Sequence, residues 1–187
     1  MAKRILYLVR HGQYRSDGPL ASEALTALGR RQADRLGRRL REVGIQVVHH
    51  SNMPRARETA LRIVDQLPPL PLRSTRLLRE GIPNIAPHFA APFRPPRSEQ
   101  LATKARMDRA FERFFRPCRS ERRELLVAHG NVIRYLVRRA LGDTSHRWWQ
   151  LEIQQCSLSI VEVSLERCAL VSFNDVGHLP ARMQTFV

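Results

Sequence analysis

Lysine is almost missing from this chain. Of the 32 basic residues among 187, only Lys3 and Lys104 are lysines, and arginine supplies the rest. Cysteine is scarce too. Cys118, Cys156 and Cys168 form an odd set without paired spacing, which argues against a disulfide framework or a zinc site and for free thiols in a reducing compartment. Aromatic residues reach only 6%, and no nucleic-acid motif accompanies them, so a base-stacking surface is not expected. No apolar run approaches membrane-spanning length. Met-Ala-Lys-Arg passes directly into an apolar stretch, leaving no room for a signal or transit peptide; a cytoplasmic protein without a membrane partner is expected. Internal repeats are absent, and Gly12 lacks the G-x-G-x-x-G spacing of a dinucleotide site.

What is present is a globular composition, 43% apolar, of a length that suits a single domain over residues 1–187. The net charge is +15. A guanidinium matches phosphate in a two-pronged fork, yet the arginines also crowd ordinary helix faces such as Arg30, Arg31, Arg35 and Arg38. The charge therefore supports weak attraction of anions and no specific nucleic acid.

Short apolar runs alternate with stretches of helical period. Ile5 to Val9, Ile45 to His49, Leu125 to Ala128, Ser157 to Val163 and Ala169 to Phe173 read as strands. Thr26 caps a helix carrying Ala33, Leu36, Leu40 and Val43, which Gly44 ends. Ser51 and Asn52 offer cap oxygens to a second helix opened by Pro54, with Ala56, Ala60, Ile63, Val64 and Leu67 as its stripe. An extended piece follows at Leu72 to Thr75. Five prolines between Ile82 and Pro96 exclude regular structure there and mark a loop insertion that could cover a site. Helices over Ser98 to Phe115 and after His129 complete the pattern. The alternation predicts an α/β fold, a mostly parallel central sheet with helices on both faces.

Two of these strands end alike, in Val9-Arg10-His11-Gly12 and Val127-Ala128-His129-Gly130. Ligands of open α/β sheets bind beyond the carboxyl ends of strands, where both histidines would stand. Gly130 and Asn131 open a helix whose first N–H groups favour an anion. Arg55 falls in the first turn after another strand, and Glu80 follows the extended piece. Two histidines, two arginines and one carboxylate make a poor metal site and a good phosphate one; no metal or cofactor is expected. His11 could attack phosphorus, Arg10 and Arg55 could bind the non-bridging oxygens, a cationic His129 could stabilise charge, and Glu80 could serve as acid and then base. Among the other histidines, His49 and His50 read as structural or exposed, His88 as an exposed loop residue, His146 as a neighbour of the core or dimer-contact aromatics Trp148 and Trp149, and His178 as bordering the pocket.

Taken together, Leu8-Val9-Arg10-His11-Gly12, Leu25-Thr26-Ala27-Leu28-Gly29, Ser51 to Thr59, Leu77 to Gly81, Val127 to Asn131 and Asn174 to Leu179 resemble the histidine phosphatase superfamily, in its phosphoglycerate-mutase-like branch. Within it, Arg10-His11-x-Gln13-Tyr14-x-x-Asp17-Gly18 and His129-x-Asn131-Val132-Ile133-Arg134-Tyr135 are most similar to the mitochondrial serine/threonine-protein phosphatases of the phosphoglycerate mutase family, whose membrane-anchoring segment has no counterpart here. The resemblance implies that His11 is the nucleophile, that Arg10, Arg55 and His129 form a phosphate pocket, and that Glu80 is the proton donor. The expected activity is metal-independent hydrolysis of a phosphomonoester through a phosphohistidine, on a phosphorylated small molecule or a phosphoprotein. Asp17 departs from the asparagine that contacts phosphate in many members, and a carboxylate there weakens the rival reading of a phosphoglycerate mutase. An idle scaffold or a basic nucleic-acid-binding module remains as an alternative of another class, and a homodimer is compatible with the sequence.

Overall fold

The computed structural model describes residues 2–15, 23–84, 94–143 and 148–186. Its elements are β1 (Arg4–Arg10), α1 (Ala27–Leu40), β2 (Val47–Ser51), α2 (Pro54–Val64), β3 (Leu72–Thr75), α3 (Arg97–Phe114), β4 (Arg122–Ala128), α4 (Gly130–Ala140), β5 (Leu158–Val163) and β6 (Cys168–Asp175). The strands form one sheet in the order β3-β2-β4-β1-β5-β6. The first four run parallel, while β5 lies antiparallel to β1 and β6 antiparallel to β5.

Strand periodicity divides the core into two layers. From β1 and β4, Leu6, Leu8, Leu126 and Ala128 face α3 and α4, burying Met107, Phe114, Ile133 and Leu136. Tyr7, Val9, Leu125 and Val127 face α1 and α2, against Ala33, Leu36, Ala60 and Ile63. Both faces of the mostly parallel sheet are thus covered. The side-chain oxygen of Thr26 accepts from the Gly29 N–H at 3.0 Å and caps α1 as expected. Helix α1 ends at Leu40, however, so Val43 packs half-buried from the following turn, and Gly44 takes a left-handed φ of 74°.

The second strand lies two residues later than the sequence pattern suggests. Gln46 donates its N–H to Arg123 O at 2.9 Å, and pairing with β4 then starts at Val47↔Glu124 and reaches His50↔Val127. His49, His50 and Ser51 are consequently all buried strand residues. His49 stacks edge-on against Phe114 and lies 3.7 Å from Glu124; burial and nearby arginines push its pKa down to about 4. His50 directs Nδ1 to the Ser51 carbonyl at 2.7 Å. Both histidines are structural and neither is exposed. Helix α2 begins after Met53 without a side-chain cap, so neither Ser51 nor Asn52 caps it. Most of the proline-rich loop, with His88, and also Asp17 and His146, lie outside the described residues. No described helix is long and apolar enough to cross a membrane.

Candidate active site

The register of the central strands places the site. Because β1 and β4 pair in parallel with Arg10 opposite Ala128, the residue after each strand is a histidine at the same edge of the sheet. His11 N–H donates to Ala128 O at 3.0 Å, and the imidazole rings of His11 and His129 stand 5.0 Å apart. On the far side of β4, β2 brings Ser51 to this edge and turns into α2, whose first turn carries Arg55. The segment after β3 delivers Glu80.

His11 is 2% exposed, and its two nitrogens have different partners. Nδ1 lies 2.9 Å from Gly12 O, and Arg55 Nε–H points at Nε2 from 3.1 Å. A carbonyl only accepts and an arginine only donates, so the proton sits on Nδ1 and the lone pair on Nε2. Burial, with Arg55 and Arg10 nearby, holds the ring's pKa well below its usual value. A neutral imidazole with a directed lone pair is the form that can act as a nucleophile.

Arg55 is itself buried, with its guanidinium carbon 4.6 Å from the centre of the Tyr14 ring and Nη1 3.6 Å from Glu23 Oε1. Arg10 donates from Nη1 to Ile153 O at 2.6 Å, while its buried Nε has no hydrogen-bond partner among the described residues. Gly130 lies against that guanidinium: a Cβ there would stand 3.6 Å from Arg10 Nε. His129 caps α4 with its backbone, and its Nε2 is 2.9 Å from Ser51 Oγ. Burial, with His11, Arg55 and Arg10 nearby, also holds the His129 pKa well below its usual value.

Glu80 is half-buried, and burial raises its pKa; the Gly81 N–H, Arg10, Arg55 and the Asn131 N–H pull the other way. Asn131 therefore enters the site through its backbone, while its side-chain oxygen accepts from Arg134 at 3.1 Å. The structure brings His11, Arg10, Arg55, Glu80, His129, Gly130 and Asn131 together. His178 sits beside Arg39 and Asp175 and against the backbone of Cys156, whose N–H donates to the carbonyls of Arg10 and His11 at 3.1 and 3.2 Å; burial lowers the His178 pKa to about 4.

Three further residues hold the site, and the sequence reading assigned none of them a role there. Thr59 Oγ1 accepts from the Gly12 N–H at 3.0 Å and donates to Arg55 O at 2.7 Å, tying the nucleophile loop to α2. Its spacing of four from Arg55 on one helix face was the available signal. Arg106 reaches back from α3 to the carbonyls of Leu77, at 3.2 Å, Arg79 and Glu80, at 3.2 Å, and pins the Glu80 segment. Ser51 faces His129. No group of three or more His, Cys, Asp or Glu among the described residues could hold a metal ion.

Backbone meets backbone beneath the nucleophile. A Cβ on Gly29 would stand 2.1 Å from Gln13 O, and one on Gly12 would stand 2.6 Å from Gly29 O. Gly29→Ala should therefore displace the Gly12–Gln13 loop and cost about 1–3 kcal/mol, the usual range for overpacking. Urea unfolding and turnover measured on one preparation check this; wild-type values for both would contradict it.

A buried histidine beside two arginines thus stands at the carboxyl edge of the parallel strands. Residues 6–82 and 85–176 match the sequence model of the histidine phosphatase superfamily (branch 1), and the chain belongs to that family. It is 34% identical over 187 residues to the mouse mitochondrial serine/threonine-protein phosphatase PGAM5, covering 96% of this chain and 65% of that protein. It is likewise 34% identical to the Caenorhabditis elegans protein of that name, over 99% of this chain and 67% of the relative. The chain thus spans about two thirds of the length of these curated relatives. Among solved structures, Bacillus stearothermophilus YhfR superposes with a TM-score of 0.75 at 25% identity, covering 94% of this chain and 98% of that one. A phosphoglycerate mutase from Plasmodium falciparum gives a TM-score of 0.66 at 27% identity, over 97% and 96% of the two chains.

Proposed function

We propose that this chain is a phosphomonoester hydrolase that passes the phosphoryl group through His11 without a metal ion. The observation that carries the reading is the directed lone pair on His11 Nε2, next to an arginine able to turn its N–H groups from that nitrogen to an incoming phosphoryl oxygen. In the first step Nε2 forms a bond to phosphorus while the ester oxygen leaves and takes a proton from Glu80. In the second, Glu80 takes a proton from water, which attacks the phosphohistidine and releases inorganic phosphate. Arg10, whose Nε has no hydrogen-bond partner among the described residues, and Arg55 balance the charge that a metal supplies elsewhere. His129 and the N–H groups opening α4 face the same anion.

The relatives' names favour phosphoserine or phosphothreonine on a protein as the substrate class. We further propose that residues 1–187 act as one domain in the cytoplasm and that a homodimer is compatible with function. The likeness to a mutase makes the competing assay necessary. A screen of alkyl phosphates and phosphopeptides beside a mutase assay tests the reading; phosphate release supports it, and transfer between substrate hydroxyls without release overturns it.

Two measurements test the phosphate pocket. Chelator should leave turnover unchanged, and vanadate should inhibit; loss of activity restored by a divalent cation would refute metal independence. Arg10→Ala should weaken vanadate binding by about 1.5–3 kcal/mol, the range for a hydrogen bond to a charged group.

A further inference from the structure

We infer that Ser51 fixes the His129 ring in the tautomer carrying its proton on Nδ1, and that this N–H is what His129 offers to a phosphoryl oxygen. The acceptor's identity rests on the function proposed above; the tautomer does not. Ser51 is fully buried at the end of β2. Among the described residues its Oγ has two hydrogen-bond partners, the Met53 N–H at 3.3 Å and His129 Nε2 at 2.9 Å. The backbone N–H can only donate, so Oγ accepts there. The hydroxyl has one proton to place, and Nε2 is the acceptor that the described residues put within its reach. If Nε2 carried the ring proton instead, it would donate to Oγ, and the serine proton would be left buried without a partner, a costly arrangement.

With the lone pair on Nε2, the proton of the neutral ring must be on Nδ1. That nitrogen is buried and has no hydrogen-bond partner among the described residues, so the arrangement leaves one donor unspent. The ring stands 5.0 Å from that of His11, close enough for both to serve one phosphoryl group. The contribution of His129 is then an oriented N–H dipole, in place of the cation expected from the sequence. Ser51 is a positioning residue, acting through the ring it holds. His11 is set in the same tautomer by other means, its Nδ1 proton taken by a carbonyl. The two rings thus expose opposite functions, a lone pair on one and a proton on the other, which is the complement that a phosphorus atom and its oxygens require.

The test is a long-range proton–nitrogen correlation spectrum of the full chain with labelled histidine, recorded near pH 8, with His129 assigned from the His129→Asn spectrum. Wild-type His129 should show a protonated Nδ1 and an unprotonated Nε2. Ser51→Ala should shift the ring toward the Nε2–H form and weaken vanadate binding roughly tenfold, the scale of one neutral hydrogen bond; Ser51→Thr should restore both. A wild-type ring protonated on Nε2, or on both nitrogens, overturns the inference, as does an unchanged tautomer in Ser51→Ala. If Ser51→Ala fails to fold, the wild-type spectrum alone decides. A wild type that shows the Nδ1–H ring but forms no phosphoenzyme overturns the proposed function and leaves the tautomer standing.

Discussion

His11→Ala should abolish phosphoenzyme formation while the protein remains folded. The side chain supplies the lone pair on Nε2; among the described residues beside it, Arg55 has none to give, and the buried His129 directs its own Nε2 to Ser51. Removal of a nucleophile typically costs on the order of 10⁴-fold or more in rate. The fold should survive because the core lies in the two layers on either side of the sheet, and His11 contributes mainly its backbone N–H to β4, which alanine keeps. Rapid quench of the wild type with labelled substrate, in alkali to preserve an acid-labile phosphohistidine, should trap the intermediate, and the variant should trap none. A variant with ordinary turnover would remove His11 from the mechanism.

Glu80→Gln should discriminate between leaving groups. An alkyl alcohol leaves poorly unless its oxygen is protonated, whereas p-nitrophenolate needs little help. General acid catalysis commonly contributes about 10²–10⁴-fold, and this loss should appear in single-turnover phosphorylation by an alkyl phosphate and largely vanish with p-nitrophenyl phosphate. The pH dependence has a definite sign. Burial raises the Glu80 pKa, so its acid form persists to higher pH than that of an ordinary glutamate, and the alkyl rate should fall as pH rises through that value. Burial lowers the pKa of His11, so its lone pair survives acidification to well below the usual histidine range. The alkyl rate should therefore favour the acidic side of neutrality, and Glu80→Gln should flatten the basic limb. Equal losses on both esters would return Glu80 to a structural role, held by the Gly81 and Asn131 N–H groups.

The ends of β1 and β4 were legible in the sequence because each couples an apolar run to a histidine and a glycine, both local signals. Arg55 and Glu80 were legible through their places after strands and through the family resemblance. The start of β2 was not, since Ile45 is as apolar as Val47, and the choice between them is made by Gln46 bonding to Arg123, 77 residues away in the chain. Ser51 is ambiguous for the same reason: a serine before Pro54 has the local chemistry of a cap, and only the pairing of β2 with β4 directs it to His129 instead. Arg106 carried no signal at all in a chain whose helices are lined with arginine. Its selection depends on α3 packing beside the turn at Arg76–Leu78, a contact without a sequence period.

The direct pairing of β1 with β4 also bears on how the protein acquires its activity. The two histidines are 118 positions apart in the numbering, and a single ladder of parallel hydrogen bonds brings them together. Closing so long a loop is slow, because its entropy is lost before the contacts form. A slip of one residue along that ladder would turn His129 from one face of the sheet to the other. No early collapsed state with α1 or α4 already wound can have a paired site unless this ladder has closed in register. Recovery of phosphoryl transfer during refolding is thus a clock for the closing of this long-range ladder, and it should run later than the spectroscopic signal of helix.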